Sequence, residues 1–175
     1  MGIPIPLDLE GPDGPAGTCP RAGRRAGAFA QADGPARTPV RHDGAMESTR
    51  QTVSSGSPLE PRIGFSRAVR KGDYVAVAGT APIGEDGAPV GQGDVHAQTV
   101  RCLDIAEAAL REAGATLADV VRTRIMLTDM SQWREAARAH GERFAQIRPV
   151  TTFVEVSRFI DERWLVEVEV DAVIG

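Results

Sequence analysis

Three carboxylates recur at every second residue near the end of the chain, at Glu167, Glu169 and Asp171. On a strand such residues share one face, about 6–7 Å apart. Val166, Val168, Val170 and Ala172, with Trp164 before them, take the other face. One side is therefore apolar, and the acidic side must meet water, cations or another chain. Arg122 and Arg124 alternate in the same way further upstream. Cross-strand pairing with the carboxylates is the natural satisfaction of both rows. A carboxylate that escaped pairing and sat in an apolar crevice would have its pKa raised and could work as an acid or base. Two neighbouring acids would also suit a paired-acid hydrolase, but nothing else in the chain looks like a sugar site.

Other reactive side chains are scattered. His42, His96 and His140 show no ligand spacing, so no metal site is expected. His140 shares an apolar helical stripe with Trp133 and Phe144, and no Ser or Cys nucleophile is placed beside it by sequence. A packed helix histidine is its ordinary reading. Thr151 and Thr152 read as a strand pair set by β propensity, or as hydrogen-bonding groups for a neutral polar ligand. Cys19 and Cys102 are too few for a disulfide scaffold. They read as free thiols in a reducing cytosol, with Cys102 packed in the core.

The chain that must position these groups has 175 residues, with Lys+Arg 20 against Asp+Glu 24. That length suits one domain with a tail. The net charge of -4 argues against nucleic-acid binding, which needs a basic face. No run of about 18 uncharged apolar residues is present, so no membrane span is expected. Aromatics make up only 5%, so Ala, Val, Ile and Leu must fill the core. Residues 1–45 hold seven of the twelve prolines and eight glycines. They cannot bury enough apolar area to offset the entropy of ordering. Residues 1–57 are therefore expected to be a disordered extension and linker, ending in Ser54-Ser55-Gly56-Ser57, with the domain at 58–175. Met46 is an alternative start. The arginines of the extension have a transit-peptide flavour, but acidic residues interrupt them.

Within the domain, Ile63–Val69 and Tyr74–Gly79 read as hairpinned strands around Lys71-Gly72-Asp73. Asp94 is a good N-cap, and Gly114 is a C′ stop for the long helix between them. Its stripe is Val95, Thr99, Cys102, Leu103, Ala106, Leu110 and Ala113. Val120–Thr128 alternates, with Val121, Thr123, Ile125 and Leu127 on one side. Ser131 is the expected cap of a second helix, whose stripe is Trp133, Ala137, His140, Phe144 and Ile147, with Pro149 as its stop. Strands follow at Thr151–Ser157 and Trp164–Val173. The order β-β-α-β-α-β-β predicts an α+β fold, a mixed sheet with two helices on one face.

Several stretches in order resemble one family: Pro61-Arg-Ile-Gly-Phe-Ser-Arg-Ala, Gly72-Asp-Tyr-Val-Ala-Val-Ala-Gly-Thr, and Gln98 through Leu103-Asp-Ile-Ala to Ala113-Gly-Ala. Leu117-Ala-Asp-Val-Val-Arg-Thr-Arg-Ile-Met-Leu-Thr-Asp, Arg148-Pro149, Thr152-Phe-Val-Glu-Val and Leu165-Val-Glu-Val-Glu continue it. Residues 61–174 thus resemble the Rid family, the reactive-intermediate deaminases, also called YjgF-like or L-PSP-type. The resemblance implies a chorismate-mutase-like fold and a homotrimer. The bare sheet faces would meet inside it, with ligand pockets between neighbours. It implies hydrolysis of enamines and imines to keto acids and ammonia, with no metal or organic cofactor.

Matched residue by residue, the pocket would hold Glu167 as the acidic group, with Gly79 and Thr80 at a strand end. Phe65 stands for a family Tyr, Ala137 for a helix Asn and Phe153 for a residue that is often Cys. Thr151 stands where active deaminases carry the Arg that grips the substrate carboxylate. Losing that two-point contact typically costs about 2–4 kcal/mol, or about thirty-fold to a thousand-fold in binding. Arg148 has the opposite parity and is not expected to replace it. Glu167 either handles water or is an interface carboxylate paired with Arg122 or Arg124. The resemblance thus points to a cytoplasmic trimer with a small-molecule ligand and weak or altered deaminase-like activity. A non-catalytic ligand-binding or regulatory trimer is the alternative. A ribonuclease, an activity of some relatives, is disfavoured by the acidic charge.

Overall fold

The computed structural model describes residues 49–175. Expectations for the extension, including Cys19, His42 and Met46, fall outside the described residues. Six strands form one sheet: β1 Arg50–Val53, β2 Ala68–Lys71, β3 Tyr74–Thr80, β4 Val120–Leu127, β5 Val150–Glu155 and β6 Val166–Val173. Three helices accompany them: α1 Glu60–Ile63, α2 Val95–Glu112 and α3 Trp133–Phe144. The sheet order is β1-β2-β3-β6-β4-β5. Only β4 and β5 run parallel, joined through α3, and the other neighbours are antiparallel. This is the expected α+β architecture with a mixed sheet.

Helices α2 and α3 cover one face. Val75, Val77, Ile125, Leu127, Val166, Val168 and Val170 meet Cys102, Leu103, Ala106, Leu110 and Phe144 there, each at most 4% exposed. Asp94 caps α2 by accepting from the Ala97 N–H at 3.0 Å, and Gly114 follows with φ +84°. Gln98 is fully buried on α2 and is satisfied at both ends. Its amide donates to the Arg163 carbonyl and accepts from the Leu165 N–H, which pins the approach to β6. Arg143 of α3 pairs with Asp104 and Glu107 of α2, which ties the two helices together.

Four sequence expectations are corrected. Sheet pairing reaches back before residue 58, because β1 pairs with β2 and buries Val53 at 2% exposure. Its four residues are too short to show a period against the Ser/Gly segment that follows. Residues Glu60–Ile63 form a helical turn, closed by Gly64 at φ +85°, so the strand starts at Ala68 and not at Ile63. Val120 and not Val121 faces the core, because the β4–β6 register slips between Val120 and Arg122. Asp129, not Ser131, caps the entry to α3, accepting from the Ser131 N–H at 2.9 Å at the head of a 3-10 turn. The carboxylate reaches two residues ahead, and a helical Trp133 follows.

Candidate functional site

The face without helices carries Glu167, Glu169 and Asp171 of β6. Register places Arg124 opposite Glu169, Arg122 opposite Asp171 and Met126 opposite Glu167. Arg124 is hydrogen-bonded to Glu169, and Arg122 lies 4.0 Å from Asp171. Tyr74 donates to Asp171 at 2.6 Å, an acceptor bond that holds the phenol above its ordinary pKa. Glu167 therefore pairs with neither arginine, because its register partner is a methionine. No hydrogen bond reaches it among the described residues. Burial raises its pKa, a nearby Arg67 opposes that, and Glu169 adds to the rise.

A β-bulge builds the wall beside Glu167. Val77 pairs with Val170, but Thr80 pairs with Val168, so β3 carries one extra residue at Ala78–Gly79. The bulge turns Thr80 inward to 1% exposure. In an unbroken strand it would share the open face with Tyr74 and Ala76. Gly79 lies under the Glu167 carboxylate, and a Cβ there would stand 2.8 Å from Oε2. Arg67 donates through Nη1 to the Gly79 carbonyl at 3.0 Å and to Thr80 Oγ1 at 3.1 Å. Its Nε is buried without a partner. Desolvation lowers the Arg67 pKa, and Glu60 and Glu167 raise it. Phe65 is half-buried two residues before Arg67.

Thr151, Phe153 and Ala137 form a second group. Thr151 pairs with Thr123 and Phe153 with Ile125, so both have the helix-side parity, opposite to that of Glu167. Phe153 meets Trp133 edge-on at 6.2 Å between ring centroids and His140 at 6.5 Å. Ala137 lies on α3 between Trp133 and His140 and is half-buried. The His140 ring stacks on Phe144 at 4.6 Å, and burial lowers its pKa. Arg148, at φ +57°, turns its Nε back to the Ala145 carbonyl at 3.2 Å. A single subunit thus sets Gly79 against Glu167, while the bulge turns the neighbouring Thr80 to the helix side, where Arg67 reaches it. Thr151 and Phe153 lie on the helix side of the sheet, with Phe153 against the Trp133 and His140 rings that flank Ala137 on α3.

Two residues gained no role from the sequence. Arg67 was visible only as a cation within the expected strand Ile63–Val69, and the bulge in β3 brings the Gly79 carbonyl to it. Thr123 was legible as a polar residue in an inward row, which demands a buried partner.

The family model described as Endoribonuclease L-PSP matches residues 55–174. The chain belongs to this family. An uncharacterised protein of Streptomyces coelicolor is 45% identical to it over 123 residues, 70% of this chain and 91% of that one. A RutC family protein of Pyrococcus abyssi is 33% identical over 118 residues, 67% of this chain and 90% of its own length. A solved Mycobacterium tuberculosis structure, Rv2704, described as a member of the YjgF/YER057c/UK114 family, is 51% identical with a TM-score of 0.65. It is matched over its whole length and covers 72% of this chain. The sequence resemblance to Rid and YjgF-like L-PSP proteins therefore holds. No helix among the described residues is long and apolar enough to cross a membrane.

Proposed function

We propose that this L-PSP chain is a trimeric hydrolase of an activated C–N bond, an imine or enamine, with pockets between neighbouring subunits. The observation that carries this reading is Glu167: half-buried, unpaired by its row of arginines, and held against a glycine. Burial raises the pKa of its carboxyl, the direction that suits a group asked both to take and to give a proton.

Water adds to the imine carbon while Glu167 takes one of its protons and passes it to nitrogen. The carbinolamine then loses its hydroxyl proton to Glu167, which returns it to nitrogen. Ammonia leaves, and the carbonyl remains. The carboxylate is regenerated, and no redox equivalent is consumed. Gly79 leaves room for the reacting atoms, and Arg67 fixes the strand end that frames them. Thr151 replaces the arginine of the deaminases this chain resembles, so carboxylate-bearing imines are poor substrates.

The test is ammonia release from imino acids generated in situ by an amino-acid oxidase. The wild-type chain accelerates release, less than an arginine-bearing family member does. Glu167→Gln loses at least about a hundred-fold, the usual share of a general base. Equal rates for Glu167→Gln and wild type overturn the reading. Ligand binding without any turnover by the wild type supports a binding protein in its place.

A further inference from the structure

A buried anion stands behind Arg67. Glu60, in the α1 turn, is only 8% exposed. Its carboxylate faces back to the two serines that follow β1. Ser54 Oγ donates to Oε2 at 2.5 Å, and the Ser55 N–H and Oγ donate to Oε1 at 2.7 and 2.6 Å. The Ser54 hydroxyl, then the Ser55 hydroxyl and N–H, hold the carboxyl below its ordinary range, against the opposing pull of burial. Glu60 is therefore an anion throughout the range in which Glu167 titrates. The same residue shapes the path to Arg67. Its backbone carbonyl accepts from the N–H groups of Gly64 at 2.8 Å and Phe65 at 3.1 Å, and the Arg67 N–H donates to the Val53 carbonyl at 2.9 Å.

Two carboxylates act on this one guanidinium. Desolvation disfavours the charged form of Arg67, Glu60 and Glu167 both favour it, and neither makes a direct ion pair with it among the described residues. Arg67 and Glu167 both reach Gly79: Nη1 donates to its carbonyl, and the Glu167 carboxylate lies over its Cα. The other ionisable groups near Glu167 are Glu169, which holds Arg124, and Cys102 of α2, whose thiol burial keeps neutral. Arg67 is thus the cation that acts on Glu167. Its Nε is buried without a partner. A carboxylate brought within reach would supply the charge-assisted bond that this N–H lacks.

We propose that Glu60 is a positioning residue for the reaction assigned to Glu167: it draws the Arg67 guanidinium back and so keeps the Glu167 carboxylate unpaired. The consequence for turnover rests on the hydrolase reading above, and the competition between the two carboxylates does not. With Glu60 neutral, Arg67 has one carboxylate left to answer, and it closes on Glu167. An ion pair there would favour the carboxylate form and make Glu167 a weaker base and a poorer proton donor. The effect passes through Arg67, because Glu60 is not among the charges that act on Glu167 directly. Ser54 and Ser55 serve the same end one step further out, by keeping Glu60 charged.

The experiment uses the full chain with carbon-13 glutamate and reads the titration midpoint of the Glu167 carboxyl. Glu60→Gln keeps the shape of the side chain and removes its charge. It lowers the Glu167 midpoint by about one pH unit, the low end of what a cation brought into contact does to a carboxyl. The acid limb of kcat/KM for ammonia release moves down with it, since that limb reports the base of the free enzyme. Ser54→Ala loosens the same cluster with the charge kept, and it leaves the midpoint in place. In an Arg67→Met background, Glu60→Gln moves nothing. An unmoved or raised midpoint in Glu60→Gln, an equal fall in Ser54→Ala, or a fall that persists without Arg67 overturns the proposal. So does a Glu60→Gln chain that cannot fold, which would make Glu60 a purely structural residue. The two readings fail separately. Glu167-dependent ammonia release with a midpoint indifferent to Glu60 sinks the positioning role alone. A midpoint that follows Glu60 through Arg67, without ammonia release from wild type, sinks the hydrolase alone.

Discussion

Glu167, Glu169 and Asp171 have the same spacing and different surroundings. Arg124 and Arg122 stand beside the last two, and methionine stands beside the first. Burial therefore acts on Glu167 without an ion pair in its own row to cancel it, and Arg67 supplies only a partial opposing pull. The folded form holds the Glu167 proton to higher pH than the unfolded chain does. Its contribution to stability is therefore fully present below the ordinary carboxylate range, and it is lost as pH rises through the folded midpoint. Glu167→Gln is accordingly more stable to urea than wild type at neutral pH, and the two converge in acid. Arg67→Met moves the Glu167 midpoint further up, since the opposing charge is gone. It also strips the Gly79 carbonyl and Thr80 hydroxyl of their donor, which costs about 1–3 kcal/mol of stability. Carbon-13 titration of the Glu167 carboxyl checks both statements. A wild-type midpoint at or below the ordinary glutamate value, or no upward move in Arg67→Met, defeats them.

At the scale of elements, the short β1 tests how the sheet is completed. Val53 sits at 2% exposure under the sheet, although the sequence around it reads as linker. Removing two methyl groups from that site costs about 2–3 kcal/mol through lost transfer and the cavity left behind. Val53→Ala should lower the urea midpoint accordingly with an unchanged slope, and a loss below about 0.5 kcal/mol would remove β1 from the core. The long elements were legible because each repeats one period several times: β6 alternates over eight residues, and α2 has a cap at one end and Gly114 past the other. What escaped has no period. Two register slips, at Ala78–Gly79 and at Val120–Val121, reverse which side a residue faces. They explain why Thr80 is buried and Val121 is 45% exposed. Glu167 was legible as a candidate from its strand position, but not its freedom from Arg122 and Arg124, which depends on cross-strand register. Thr151 and Phe153 were legible only through resemblance, and their separation from Glu167 follows from strand parity in the folded sheet.

At the scale of the molecule, the open sheet face is unfinished in a single chain. Tyr74, Val121, Val150 and Val173 are each at least 45% exposed. Tyr74, Val121 and Val150 line a shallow depression of about 350 Å³ together with Arg122 and Asp171. An apolar patch rimmed by paired charges is the usual dress of a contact surface. The two halves of the site give a second reason for assembly. Glu167 looks out of the open face, and Thr151 and Phe153 lie at edge strand β5 with the opposite parity. One subunit cannot close a pocket from both, but the edge of one copy set against the strand ends of the next can. A head-to-tail contact of this kind can close into a ring, and the trimer proposed above is a ring of three. Sedimentation should therefore give three times the 18.6 kDa chain mass at micromolar concentration. Val150→Lys places a second cation beside its register partner Arg122, at the 63% exposed rim of the patch. It should weaken the trimer at least about tenfold while the isolated fold keeps its circular dichroism, because Val150 contributes nothing to the core. If wild type sediments as one chain, or if the lysine variant stays trimeric at every concentration, the open face is not the contact. The two half-sites would then have to work apart.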